Sequence, residues 1–219
     1  MKKEKENNLL FKCLIKYLIS GILAGLLIGI GGYAFLLART RSISALPEFL
    51  FSIALLTICT FQFSLYTGKI CYLFDNFNWK YLCELLMMLI GNLIGAALMG
   101  TMFYFCNSEI DISIFMKNKL VNWYIVLLKS IGCGVLVYIA VEAFNKSKNI
   151  LTGVLLLIMS VMTFMICGFE HSIADIFYTF ASWTCNIKII LFILLVIAGN
   201  TIGGLIIPIL RKIINKLES

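Results

Sequence analysis

Charged residues are scarce in this sequence. They make up 13% of its 219 residues, whereas hydrophobic residues make up 61%. Soluble globular domains carry about 25% charged residues, so the composition argues against a soluble fold and indicates an integral membrane protein.

Histidine and paired cysteines are scarce as well. His171 is the only histidine, and the eight cysteines lie singly, without a CxxC pair. Metal clusters and disulfide frameworks need closely spaced ligands or matched partners. We therefore expect no metal, no other cofactor and no disulfide, and we interpret the cysteines as small packing residues.

Six apolar runs are each long enough to cross a bilayer, which takes about 20 helical residues. They cover 17–38, 48–72, 81–105, 121–144, 150–181 and 188–210. The first run lacks a small-residue cleavage pattern near its end, so we expect it to be retained rather than removed as a signal peptide. The sequence thus predicts an all-α integral membrane protein with six transmembrane helices in a single transmembrane domain, 1–219.

The placement of lysine and arginine predicts the orientation. With six spans, twelve of these residues fall on the side that holds both termini and six fall on the other. The positive-inside rule then places both termini in the cytoplasm, for a multi-pass protein of the cytoplasmic (inner) membrane. Basic residues beside a membrane also attract anionic lipid, so the positive charge needs no nucleic-acid partner.

The two halves of the chain contain similar sequences at corresponding places. The third and sixth runs contain similar sequences, GNLIGA at 91–96 and GNTIGG at 199–204. Three helices used twice must cross in opposite directions, which predicts an inverted repeat with halves at about 17–105 and 121–210.

Polar residues interrupt the second and fifth runs, as FQFSLYTGK at 61–69 and CGFEHSIAD at 167–175. Non-helical backbone at membrane depth must be buried in protein or line a wet cavity, because its polar groups would otherwise be unpaired. Corresponding interruptions in two inverted halves predict a binding site near the middle of the membrane.

His171 lies in the second of these interruptions, beside Glu170. Ionisable groups inside a membrane are costly and mostly functional, and imidazole changes its charge near neutral pH. We predict that His171 lines a pore and is neutral at rest. Adjacent residues do not share a helix face, so we expect the Glu170 carboxylate to cap backbone amides that the break frees.

Several of these sequences together resemble the formate/nitrite transporter family. They are GFEHSIADIFY at 168–178, LYTGK at 65–69 and the paired GNLIGA and GNTIGG. Members of that family pass small monovalent anions such as formate, nitrite or hydrosulfide. The resemblance implies an aquaporin-like protomer with helices 2 and 5 broken, assembled as a homopentamer with a separate pore in each subunit.

The resemblance also implies roles for individual residues. His171 matches the family's central histidine, and Thr67 matches the threonine that faces it. Asn200 matches an asparagine near the outer vestibule. The family's lysine ahead of the fourth helix matches Lys117 or Lys119, of which we favour Lys119.

Further pore residues follow by position from the same resemblance. The break in the second run places Leu65, Tyr66 and Thr67 at the pore. The aromatic residues of the outer constriction match Phe51 and Phe164, and the inner constriction matches Leu55 and Val137. Two alternatives remain open. The Thr67 hydroxyl could donate a hydrogen bond to its own helix, and Lys119 could be an anchor at the membrane interface.

The sequence departs from the family's usual residues at three positions. Gly134 follows Cys133 where an asparagine is usual, Asp175 replaces the asparagine of HSIAN, and Lys69 stands where asparagine is common. We expect these departures to affect which anion is the substrate more than they affect the fold.

The sequence as a whole predicts a channel-like transporter, not an enzyme, that passes small monovalent anions together with a proton. An aquaporin-like pore for water or a small neutral solute is the alternative, although the chain has no NPA motif. A membrane-integral enzyme is disfavoured because there is no second histidine and no cluster of ligands. Formate, nitrite and hydrosulfide are not distinguished by these residues.

Overall fold

A computed structural model describes residues 2–41, 45–107 and 110–218, with side chains from residue 10 onward. In these ranges the chain forms nine α-helices and one short 3₁₀ turn, Ile70–Tyr72. The helices are α1 (Lys2–Thr40), α2 (Leu46–Thr60), α3 (Tyr66–Lys69), α4 (Trp79–Cys106), α5 (Ser113–Lys119), α6 (Trp123–Lys146), α7 (Ile150–Ile166), α8 (Ser172–Ala181) and α9 (Ile187–Leu217). The expectation of an all-helical protein is confirmed.

Four helices are long and apolar enough to cross a membrane by length and composition: α1 from Leu10 onward, α4, α6 and α9. Helices α2 and α7 are apolar but shorter. Each is followed by a few non-helical residues and a second helix, α3 or α8. The predicted runs 48–72 and 150–181 are therefore each divided into two helices, at the polar interruptions. Helix α5 lies between two predicted runs and was not anticipated.

The main helix pairs are α1 with α4 and α6 with α9. Glycines permit both close approaches. A Cβ added at Gly25 would lie 2.2 Å from the carbonyl oxygen of Asn92, and one at Gly134 would lie 2.4 Å from that of Asn200. The departure at Gly134 thus has a structural reason, because any side chain there would collide with α9.

The outer faces of the helices are apolar. On α7, for example, Leu151, Met159 and Ile166 are each more than 60% exposed. Buried polar side chains include Asn92, His171, Asp175 and Asn200. A surface of this kind suits lipid or a neighbouring subunit, and it places the polar chemistry inside the protein.

Candidate functional site

The breaks after α2 and α7 follow the same backbone path. The amide of Phe63 donates to the carbonyl of Ile58, at 3.0 Å, and the amide of Phe169 donates to the carbonyl of Phe164, at 2.9 Å. In each case the preceding residue is left-handed, with φ 57° at Gln62 and φ 62° at Gly168. Glycine adopts that conformation readily, whereas glutamine does so at a cost in free energy.

Asn92 on α4 holds the first break in place. Its side-chain oxygen accepts a hydrogen bond from the amide of Tyr66, at 2.8 Å. Its side-chain nitrogen donates to the carbonyls of Ser64 and Gly21, at 2.9 and 2.8 Å. One fully buried amide therefore satisfies the Ser64 carbonyl and the Tyr66 amide, which the break leaves without helical partners, and links them to α1 through Gly21.

Asn200 on α9 does the same at the second break. Its side-chain oxygen accepts from the amide of Ser172, at 2.9 Å, and its nitrogen donates to the carbonyls of Glu170 and Ser130, both at 2.9 Å. The expectation that Asn200 lies near a vestibule stays a prediction, and the structure adds that its side chain holds the backbone of Glu170, which lines the large cavity described below. The Asn200 side chain is 1% exposed, and the backbone of the break uses its hydrogen-bonding groups.

His171 forms the N-cap of α8 and faces Thr67 across the two breaks. Its Nδ1 accepts a hydrogen bond from the amide of Ala174, at 3.3 Å, so the proton of the neutral ring resides on Nε2. Nε2 lies 3.1 Å from the Thr67 hydroxyl oxygen, to which it donates. Both side chains are buried. The hydrogen bonds thus describe a neutral imidazole with a single N–H.

One phenylalanine ring stacks on the histidine, and a second ring packs against the first. The ring of Phe164 stacks on that of His171, with centroids 6.0 Å apart and an interplanar angle of 17°. Phe51 meets Phe164 edge-on, also at 6.0 Å. Both phenylalanines are at most 2% exposed, so the imidazole is screened by apolar rings.

A large cavity of about 360 Å³ opens beside Phe164 and His171. Its charged and titratable lining consists of Arg39, Lys119, Lys129, Glu170, His171, Asp175 and Tyr178. Lys119 reaches into it from α5, whereas Lys117 is exposed. The geometry therefore favours Lys119 over Lys117 as the lysine beside the histidine.

The ammonium of Lys119 contacts two carboxylates. Glu170 lies within ion-pair distance, and Asp175 Oδ1 is 2.9 Å from Nζ. The prediction that Glu170 caps backbone amides is wrong, because its carboxylate pairs with Lys119 instead. Asn200 and His171 already bind the amides of Ser172 and Ala174.

A much smaller cavity, of about 20 Å³, lies beside the first break. Leu55 and Leu65 line it with the polar residues Gln62, Lys69 and Asn145. This volume holds about one water molecule. Val137 does not line this cavity, but it is 1% exposed and belongs to the same apolar cluster as Leu55 and Leu65.

Tyr66 does not join these residues. Its side chain packs in a separate cluster with Leu85 and Met88 of α4, and its hydroxyl lies 2.9 Å from that of Thr201. Successive helical residues point about 100° apart, so Tyr66 faces away when Thr67 faces His171. The expectation that Tyr66 lies at the pore is therefore wrong.

Comparison with known proteins gives a consistent result. The family model for the formate/nitrite transporter matches residues 2–213. A structure described as "FNT family ion channel" is 20% identical, with a TM-score of 0.77, over 92% of this chain and 96% of that one. Another, "Pentameric formate channel with formate bound", is 18% identical, with a TM-score of 0.80, over 94% and 98%. No curated protein sequence matches.

Proposed function

The chain belongs to the formate/nitrite transporter family, and we propose that it is a channel-like transporter, not an enzyme, that passes small monovalent anions such as formate, nitrite or hydrosulfide together with a proton. One observation carries the proposal. The N–H of His171 faces the hydroxyl of Thr67 in an apolar surrounding, beside a large cavity lined by Lys119.

The proposed architecture is a single transmembrane domain, 1–219, that crosses the cytoplasmic membrane six times, with both termini in the cytoplasm. Its halves, about 17–105 and 121–210, form an inverted repeat. Support comes from the shared path of the two breaks and from the matching contacts of Asn92 and Asn200. The N-caps of α4 and α9 match as well, since Asn78 accepts from the amide of Tyr81 and Asn186 from that of Ile189.

We also propose that the protein is a homopentamer with one pore in each subunit. The similar structure that contains formate is described as pentameric, and its chain is covered almost completely by this fold. The apolar outer faces of this chain, which include α7, are suited to contacts with neighbouring subunits and with lipid.

Neutralisation of the substrate makes passage feasible. Transfer of a bare anion past Phe51, Phe164 and Leu65 into low dielectric costs many kcal/mol. A carboxylic acid with a pKa near 4, like that of aspartate, is protonated at pH 7 at a cost of about 4 kcal/mol. Crossing as the acid is therefore the cheaper route.

His171 assists this step through one atom. The Ala174 amide occupies Nδ1, so the neutral ring presents its single N–H, from Nε2, to a substrate that binds between the ring and the Thr67 hydroxyl and contacts both. A second proton on the ring requires loss of the hydrogen bond from Ala174, at a cost of about 1 kcal/mol. The resting imidazole thus stabilises the bound substrate as a hydrogen-bond donor. It becomes charged only when the hydrogen bond from the Ala174 amide is broken.

Flux measurements on purified protein in liposomes test the function. We expect formate uptake to exceed that of protein-free liposomes, to accelerate from about pH 7 to about pH 5, and to move one proton with each anion. Water permeation without formate uptake would instead favour an aquaporin-like pore. Absence of both fluxes from correctly assembled protein would contradict transport.

A further inference from the structure

A polar cavity of about 200 Å³ lies between the C-terminal parts of α6 and α9 and the chain that follows α3. It shares no lining residue with the large cavity beside His171. Its charged lining consists of two carboxylates and three cations: Asp75, Glu142, Lys146, Arg211 and Lys212. Formally these side chains carry one net positive charge, so the acids of the polar cavity do not neutralise its cations completely.

Glu142 accepts most of the hydrogen bonds in this cavity. Its Oε1 accepts from Lys146, at 2.8 Å, and from Arg211, at 3.1 Å. Its Oε2 accepts from the hydroxyl of Tyr72, at 3.0 Å. A carboxylate accepts about four hydrogen bonds, so Glu142 has little capacity left for further donors.

Arg211 has unused donors of a particular geometry. It uses only Nη1, which donates to Glu142 and, at 3.0 Å, to the hydroxyl of Tyr138. Its Nε–Nη2 edge has no partner among the described residues, and two N–H groups side by side on a guanidinium bind two oxygens of one anion. The hydroxyl hydrogen of Tyr138 also lacks an acceptor in the described part of the chain, although this side chain is only 5% exposed.

The two lysines add further donors. Lys146 uses one of its three N–H groups, for Glu142. Lys212 uses two, for Asp75 Oδ1 and for the carbonyl of Phe74, both at 2.8 Å. The lining of the polar cavity therefore offers more free donors than free acceptors. A ligand that fits this surplus is an anion with several oxygens.

We infer that the polar cavity is a binding site for a phosphate group. The free edge of Arg211 binds two phosphate oxygens, and the ammonium groups of Lys146 and Lys212 and the hydroxyl of Tyr138 donate to the oxygens within their reach. Neither the transported anions nor the pore residues take part, so this site goes beyond the proposed function.

The position of the cavity favours lipid as the source of the phosphate. In the proposed orientation α6 and α9 both end on the cytoplasmic side, where the membrane leaflet is rich in anionic lipids. The phosphodiester of such a lipid has two free oxygens, which match the edge of Arg211. Free phosphate is the other source. The choice of lipid rests on the proposed orientation, whereas the site itself does not.

A bound phosphate would connect three elements. Arg211 belongs to α9 and Lys146 to α6, and Tyr72 ends the 3₁₀ turn that follows α3 directly. Because α3 carries Thr67, the phosphate would brace the element that holds one side of the candidate site. We therefore expect the ligand to stabilise the folded protein.

Thermal unfolding of the purified protein in mild detergent tests the site. The additions are dioleoyl phosphatidylglycerol, which is anionic, and dioleoyl phosphatidylcholine, which has the same acyl chains but a neutral headgroup. Inorganic phosphate is compared with chloride at equal ionic strength. The variants are Arg211→Gln, Arg211→Lys and Lys146→Gln. Lys188→Gln is the matched control, since it removes one exposed cation from the opposite end of α9.

The expected result is a rise of about 5 °C in the unfolding temperature with saturating phosphatidylglycerol, and little change with phosphatidylcholine. Arg211→Gln should weaken the apparent affinity about tenfold, because charged hydrogen bonds are lost. Arg211→Lys should restore it only in part, since lysine keeps the charge without the paired N–H groups. Lys188→Gln should respond like the wild type. Stabilisation by inorganic phosphate but not by phosphatidylglycerol would support a phosphate site that is filled from solution.

Two results overturn the inference. One is equal stabilisation by both lipids with no effect of inorganic phosphate. The other is an unchanged response in Arg211→Gln. If Arg211→Gln does not fold, Lys146→Gln decides, because this side chain is 62% exposed and its loss should weaken the response without unfolding the protein. No transport is measured, so failure of the phosphate site leaves the proposed function in place.

Discussion

At the scale of single residues, His171 has two hydrogen bonds with different purposes. Nδ1 closes the N-terminus of α8 through the Ala174 amide, and Nε2 faces Thr67. Any substitution at this position therefore affects a helix cap as well as the site. A useful variant keeps the hydrogen bond to the Ala174 amide and removes the one to Thr67.

His171→Asn meets this requirement. Asparagine is among the preferred N-cap residues, and its side-chain oxygen can accept from the Ala174 amide. We expect the variant to assemble normally, with formate flux that falls sharply or becomes an anion conductance with little pH dependence. Uptake and proton movement in liposomes from about pH 7 to about pH 5 measure both properties. If the variant transported formate at the wild-type rate and with the wild-type proton stoichiometry, His171 would have only a structural role.

Thr67→Val should have a milder effect. It removes one hydroxyl, whose hydrogen bond is worth about 1 kcal/mol, and it leaves the imidazole and its cap in place. We expect formate flux to fall about fivefold, with the pH dependence of the wild type retained. A loss of flux as large as that of His171→Asn would show that the hydroxyl is as necessary as the ring.

At the scale of elements, the breaks depend on asparagines from other helices. Asn92→Ala or Asn200→Ala removes the partner of two buried backbone groups at a break, each costly when unpaired. We expect either change to lower unfolding stability by at least about 2 kcal/mol. Thermal unfolding of the protein in mild detergent measures the effect.

The control for these variants is Asn215→Ala, which removes an exposed asparagine from α9. It should leave the unfolding temperature almost unchanged. A fall for Asn215→Ala equal to that of Asn92→Ala or Asn200→Ala would show that the hydrogen bonds across the breaks are not the cause.

The element scale also shows what the sequence can predict. The breaks were predictable, because FQFSLYTGK and CGFEHSIAD place polar residues inside apolar runs. Helix α5 was not, since it is short and lies between those runs. The role of Asn92 was hidden as well, because its partners lie on two other segments of the chain.

The candidate site was likewise only partly predictable from the sequence. The resemblance led to His171 and Thr67, and the structure places their side chains 3.1 Å apart. Glu170 was misread because its pairing with Lys119 joins residues 51 positions apart. Sequence spacing does not reveal such a contact, although the unusual Asp175 was a signal of altered charge.

At the scale of the whole molecule, the orientation can be tested by labelling. We expect Lys3→Cys and Ser219→Cys, each in a cysteine-free background, to resist an impermeant thiol reagent added outside intact cells, because the positive-inside rule places both termini inside. Asn118→Cys, on the exposed part of α5, should react and serves as the positive control. Labelling of either terminus from outside would contradict the proposed six-span orientation.

The pentamer has its own test. If each subunit contains a separate pore, mixing wild-type and His171→Asn subunits should give proton-coupled formate uptake in proportion to the wild-type fraction. Size measurement in mild detergent should first show a pentamer for both. A steep, cooperative loss of uptake on mixing would point instead to one pore shared by all subunits.

The two asparagine-held breaks have a consequence for how the chain can be divided. Asn92 and its partners Gly21, Ser64 and Tyr66 all precede residue 107, and Asn200 and its partners all follow residue 121. Each half therefore carries the contacts that fix its own break, whereas Thr67 and His171 come one from each half. A chain severed between α4 and α6 should regain transport when its fragments are produced together, and neither fragment should transport alone.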